Sequence, residues 1–174
     1  MVSEPTGVQP GAEIAAVDAL VTDRAGLGLV ALSADCVPVI LVEPSAGVVA
    51  AVHSGWRGLV VDVVGAAVAA MEQVGAQVGQ ISAHLGPAIC GACYPVPEER
   101  AAEVHEVRPE AVGSAKDGQP TVDVRVGLVA RLEELGARPT VVGGCTAQDT
   151  ALYSHRRDGR TGRQGGAVAI VPAA

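Results

Sequence analysis

Residues 34–59 read ADCVPVILVEPSAGVVAAVHSGWRGL. Two apolar runs, 37–42 and 47–53, flank a Glu-Pro-Ser-Ala turn. Their Val and Ile content, short length and Pro and Gly borders favour strands over helices, so the pair reads as a hairpin. Neither run alternates cleanly between apolar and polar residues. Both are therefore expected to be buried on two faces, inside a layered fold. After Ser54-Gly55 the period changes. Leu59, Val60, Val63, Val64, Ala67, Val68 and Met71 recur at helical spacing, which predicts a helix over about 59–74 with Gly75 as its stop.

The rest of the chain extends this pattern. Two more strands precede the hairpin, at 19–22 and 27–33, and another follows the helix at 81–85. Pro97, Glu98 and Glu99 open a second helix, reaching about Val107, with acids in its first turn. A polar loop is expected over 108–120 and a short extended piece at 121–123. Val126, Leu128, Val129, Leu132 and Leu135 mark a third helix ending at Gly136. Strands at 140–142 and 167–171 are separated by a segment, 146–166, that reads mostly as loop with a short run at 151–154. Strands cluster first and then alternate with helices. The expected class is α/β (α+β), with mixed β-sheets forming a sandwich flanked by helices. Residues 1–13, rich in Pro, Gly and Glu, read as a flexible arm before a single domain over 14–174.

Composition narrows the functions available. Hydrophobic residues make up 49% of the 174, which supports a real core and excludes a disordered chain. Aromatics are 2%, Phe is absent and the net charge is −7. With few stacking platforms and no dominant basic face, nucleic acid is not an expected partner. No apolar run is long enough to span a membrane, and no basic start or apolar leader is visible. Cys36, Cys90, Cys93 and Cys145 are then expected to be reduced thiols of a cytoplasmic protein.

Cys36 and His53 are the first candidates for chemistry. Each stands where an apolar run meets a turn, and the hairpin between them can bring both to one end of a sheet. A thiolate and an imidazole suit zinc and equally suit a nucleophile and its base. They are also compatible with a small buried hydrophobe and a hydrogen-bonded strand end. Arg57 adds positive charge where the helix begins, a place that favours anions. Arg156, Arg157, Arg160 and Arg163 supply four of the twelve Lys and Arg within eight residues. Their guanidinium forks match phosphate oxygens, and they serve equally well in surface ion pairs. Cys90-Gly91-Ala92-Cys93 has C-x-x-C spacing without a thioredoxin-like context, so packing in a tight loop is the reading it favours.

Several separated segments share one resemblance. VDALVTDRAGLGL (17–29), SADCVPVILVEP (33–44) with GVVAAVHSGWRG (47–58), LGPAICGACYPV (85–96) and CTAQDTALYSHRRDGRTGR (145–163) resemble the multicopper polyphenol oxidoreductase (laccase-domain, YfiH-like) family in order and spacing. The resemblance implies an α/β sandwich with helices outside the sheets. It also implies a zinc-dependent purine nucleoside enzyme, acting by phosphorolysis of adenosine and inosine and by adenosine deamination. Copper-dependent polyphenol oxidation and editing of peptidoglycan precursors are the family's alternative assignments. By resemblance Cys36 and His53 become metal ligands, zinc being expected and copper the alternative, with Arg57 beside them as a catalytic candidate. The arginine run becomes a candidate contact for phosphate or substrate. The partners implied are a purine nucleoside and phosphate, with a homo-oligomer as a further possibility.

One departure is plain. The family's third ligand is a His within a QVHG-like motif upstream, and residues 1–35 contain no His. The chain is therefore expected to be incomplete at its N-terminus, and an inactive truncated domain is the non-enzymatic alternative. Of the remaining histidines, His84 is expected in the core, His105 on a solvated helix face and His155 in the arginine loop.

Overall fold

The computed structural model describes residues 17–171 and the backbone of a two-residue strand at Val2–Ser3; the rest of the expected arm lies outside the described residues. In chain order the strands are β1 (Val2–Ser3), β2 (Ala19–Thr22), β3 (Gly28–Ser33), β4 (Val37–Glu43), β5 (Val48–Ser54), β6 (Ser82–Leu85), β7 (Val112–Ser114), β8 (Pro120–Val122), β9 (Arg138–Val141) and β10 (Gln164–Ala169). The helices are α1 (Trp56–Val60), α2 (Val63–Gln73), α3 (Glu98–Val107), α4 (Val124–Leu135) and α5 (His155–Asp158).

Six strands form one mixed sheet in the order β1-β2-β5-β4-β6-β9. The outer pairs β1–β2 and β6–β9 are parallel, and the three inner pairs are antiparallel. β3 and β10 form a separate antiparallel ribbon, and β7 with β8 a small hairpin. The strand pattern explains the layers. Val48, Ala50 and Val52 of β5 join Val37, Val39 and Leu41 of β4 in the main core, against Val64, Ala67, Val68 and Met71 of α2 and Leu128 and Leu132 of α4. The alternate residues Val49 and Ala51 face the other way. With Ile40 and Val42 they pack on Leu29 and Ala31 of the ribbon. Both faces of the central hairpin are thus covered, which is why its sequence does not alternate.

Four expectations need correction. The helix over 59–74 is two helices. Asp62 adopts a left-handed conformation (φ 56°) and its carboxylate accepts from the Gly65 N–H at 3.2 Å, so the chain turns and restarts. Apolar spacing runs unbroken through the join, which hides it. The polar loop 108–120 contains a short 3-10 turn and β7. The loop 146–166 contains α5 and the start of β10. His84 is exposed rather than buried, because β6 turns Ala83 and Leu85 into the core and His84 to the opposite face.

Candidate metal and catalytic site

The β4–β5 register sets Val37 opposite Ser54 and Pro38 opposite His53. Cys36, one residue before β4, therefore faces Gly55. A Cβ on Gly55 would lie 2.9 Å from the Cys36 sulfur, so only a glycine leaves room for the thiol there. Cys36 and His53 are both half-buried at this end of the sheet. The hairpin brings together what 17 positions of sequence separate.

His53 is held twice by Asp18, the residue just before β2. Its backbone N–H donates to the Asp18 carbonyl at 2.7 Å, and its Nδ1 lies 3.0 Å from Asp18 Oδ1. With Nδ1 engaged, Nε2 is the nitrogen left for a metal or a proton, an arrangement that fixes tautomer and ring orientation. Cys36 first, and then Asp18, favour the imidazolium over the desolvation that opposes it. The His53 pKa is pushed up to about 9.

Asp35 supports Cys36 from behind. It sits at φ 86°, a conformation that costs energy outside glycine and persists where surrounding contacts impose it. Thr146 Oγ1 donates to Asp35 Oδ1 and the Arg156 N–H donates to Oδ2, each at 2.6 Å. The Ile89 N–H donates to the Asp35 carbonyl at 3.0 Å. Two loops and the start of α5, all distant in sequence, thus converge one residue from the thiol.

The arginines divide by occupation. Arg157 donates through Nε and Nη2 to Asp158, through Nη1 to the carbonyls of Thr146 and Asp149, and through Nη2 to the Leu152 carbonyl. These five bonds use all five donors of a guanidinium. Arg157 therefore holds the loop together rather than offering a fork to phosphate. Arg156 stacks on Tyr94, 4.9 Å from the ring centroid, with one bond from Nη1 to the Pro95 carbonyl. Arg163 bonds the carbonyls of Thr161 and Gly162 in its own loop, and Arg160 is exposed. Arg57 is also exposed. It and Arg100 of α3 each stack on Trp56, at 4.9 and 4.6 Å.

Sequence reasoning missed a second cluster. Cys90, Cys93 and Cys145 offer sulfur atoms all within 4.8 Å of one another, a group that could hold a metal ion. Among the described residues it is the one such group of three or more; apart from Asp18, which engages His53 alone, no His, Cys or carboxylate among them completes a mutually close trio with Cys36 and His53. His105 and His155 are exposed, and His155 Nδ1 lies 2.8 Å from the Gly159 carbonyl. Burial, together with the neighbouring Cys145 and Cys93 sulfurs, pushes the Cys90 thiol up to about 11. At Cys145 burial acts the same way, but the Cys90 N–H and thiol and the N–H groups of Gln148 and Ala147 outweigh it and lower the pKa. The missed signal was the C-x-x-C pair itself. Its partner thiol stands beyond two helices and three strands of intervening chain.

Comparison with known proteins agrees with this architecture. The family described as "Multi-copper polyphenol oxidoreductase laccase" matches residues 2–171, and the chain belongs to it. It is 47% identical over 169 residues to "Purine nucleoside phosphorylase SCO2081" of Streptomyces coelicolor, covering 97% of this chain and 69% of that protein. It is 50% identical over 158 residues to "Purine nucleoside phosphorylase ORF3" of Streptomyces griseus, covering 90% and 64%. Among solved structures, YlmD from Geobacillus stearothermophilus superposes with a TM-score of 0.83 at 32% identity, covering 90% and 62%. The chain thus spans between 62% and 69% of these three proteins' lengths.

Proposed function

We propose that this member of the laccase-like family is a zinc-dependent purine nucleoside enzyme, cleaving adenosine and inosine with phosphate and deaminating adenosine at the same centre. The observation that carries this reading is the meeting of Cys36 and His53 at one sheet end, with Asp18 on Nδ1. Relatives named purine nucleoside phosphorylase support it. The donor set fits zinc: a thiol and a ring nitrogen left free by a carboxylate on the other nitrogen. Cys36 and His53 would hold the ion. The third protein ligand that a catalytic zinc takes would come from outside the described residues, a second copy of the chain included. When bound, zinc supplies Lewis-acid and water-activating chemistry.

In phosphorolysis a phosphate oxygen bonds to C1′ of the ribose as the C1′–N9 bond breaks. The base leaves with that electron pair and takes up a proton, giving ribose 1-phosphate and free purine. Arg57, Arg156, Arg160 and Arg163 are the candidate anion contacts of this chain, since Arg157 is committed to its loop. In deamination water adds at C6 and ammonia departs, giving inosine. Four unbridged thiols fit a reducing, cytoplasmic setting, and among the described residues no helix is long and apolar enough to cross a membrane.

The test combines metal analysis with product analysis. Purified chain is assayed for zinc and copper, then incubated with adenosine or inosine and phosphate. Release of ribose 1-phosphate and base, lost in Cys36→Ser and in His53→Ala, is the expected result. Zinc-loaded chain that leaves both nucleosides unchanged sinks the reading for this chain. Copper in place of zinc, with oxidation of a phenol under oxygen, turns it to the oxidase.

A further inference from the structure

We propose that Cys90, Cys93 and Cys145 form a second metal site, taking a thiophilic d10 ion, Zn(II) or Cu(I), that clips the turn at 86–94 to the loop at 143–149. The three sulfurs lie within 4.8 Å of one another; a tetrahedral ion with a Zn–S distance of about 2.3 Å sets its sulfurs about 3.8 Å apart, so a small inward movement of the thiols would bring all three onto one ion. A donor set of three sulfurs with no oxygen or nitrogen selects soft metals. Cys145 is buried, while Cys90 and Cys93 are half-buried. An ion can therefore enter from the C-x-x-C side.

The backbone holds this arrangement by itself. A 3-10 turn at Gly91–Cys93, closed by the Cys93 N–H on the Cys90 carbonyl at 3.0 Å, forms the C-x-x-C corner. The Gly91 N–H donates to Asp123 Oδ2 at 2.9 Å, and Asp123 Oδ1 also caps α4, so the corner is anchored to a helix. The opposing loop is fixed through Ala88, which pairs with Cys145 and accepts from the Thr146 N–H at 3.1 Å. The Cys90 N–H lies 3.3 Å from the Cys145 sulfur, the N–H···S contact that supports a metal-bound thiolate. Three thiols on two loops already tied to each other by backbone bonds need little rearrangement to bind.

The position of the clip gives it a purpose. Thr146 follows Cys145 directly, and its hydroxyl holds Asp35 beside Cys36. An ion on Cys145 would stiffen the segment that backs the first site. The second site is argued from its own residues and stands whether or not the chain acts on nucleosides.

Cys36→Ser makes the test specific, because the only cysteines left are these three. The reduced 174-residue chain is titrated without oxygen with Co(II), then Zn(II), and separately with Cu(I) against a copper(I) chelator. One equivalent of Co(II) with sulfur-to-metal charge-transfer absorption, bleached by Zn(II), is expected. A tighter hold in the Cu(I) arm identifies copper as the preferred ion. Adding Cys93→Ser should weaken binding by at least about tenfold, since even outer-shell partners are worth ~10- to 100-fold. Bound metal should also slow amide exchange across 86–94 and 143–149. Cys145→Ser replaces a buried side chain, so if it fails to fold, the half-buried Cys93→Ser decides. A Cys36→Ser chain that binds none of the three ions, or binding that Cys93→Ser leaves untouched, overturns the proposal.

Discussion

Asp18 shows what one carboxylate does for a histidine. It sits on Nδ1 of His53 at 3.0 Å and leaves Nε2 as the working nitrogen. Asp18→Asn keeps the shape and removes the charge. Zinc affinity is expected to fall about 10- to 100-fold, read by competition with a chromophoric chelator, with the circular dichroism spectrum unchanged. The raised His53 pKa has its own consequence. In the metal-free chain the stability this proton brings is complete below about pH 6.5 and is lost as pH rises through about 9. A metal must displace the same proton, so zinc affinity should climb steadily from neutral pH towards 9. A dissociation constant flat across that range contradicts the assignment of His53 as a ligand. The meeting of Cys36 and His53 was legible in the sequence because both border one hairpin, whereas their role as ligands rests on the family resemblance. Asp18 was not legible, since it is an ordinary acid 35 residues away until β2 pairs with β5.

At the level of elements, the join between α1 and α2 is the least legible feature and the easiest to test. Leu59, Val60, Val63 and Val64 keep helical spacing across it, so periodicity predicts one helix. The break comes from Asp62, whose carboxylate caps α2 and receives a two-pronged contact from Arg131 of α4 at 2.7–3.0 Å. Asp62→Ala removes the cap and strands the arginine. A loss of about 1–2 kcal/mol is expected from the cap alone, measured by urea denaturation with the m-value unchanged. His84 teaches a related lesson. A histidine among apolar neighbours reads as core, yet strand alternation decides its side, and the narrow ribbon β3–β10 leaves it exposed. The main strands and the helices α3 and α4 were legible because their apolar periods and their stops, such as Gly136 at φ 89°, agree.

Across the whole molecule, the layers followed from the sequence, but the contacts between distant loops did not. Nothing local announces that Cys145 meets a C-x-x-C corner, or that Arg157 uses every donor on its own loop. Arg157→Lys keeps the charge and loses the planar fork. Faster amide exchange and easier protease cleavage over 146–158 are expected, with the sheet protected as before. Arg160→Ala should change neither, since Arg160 is exposed.

The bonds from Thr146 and Arg156 to Asp35 span 111 and 121 residues of chain. Closing loops of that length is entropically slow to be rewarded, so such contacts form late. During synthesis the β4–β5 hairpin is made long before residue 146 leaves the ribosome. Cys36 and His53 can therefore meet an ion while Asp35 still lacks its partners, and early loading would be loose and reversible. Thr146→Val should accelerate unfolding in stopped-flow experiments and leave the refolding rate nearly unchanged. Slower refolding in that variant would instead place the tie among the first structures to form.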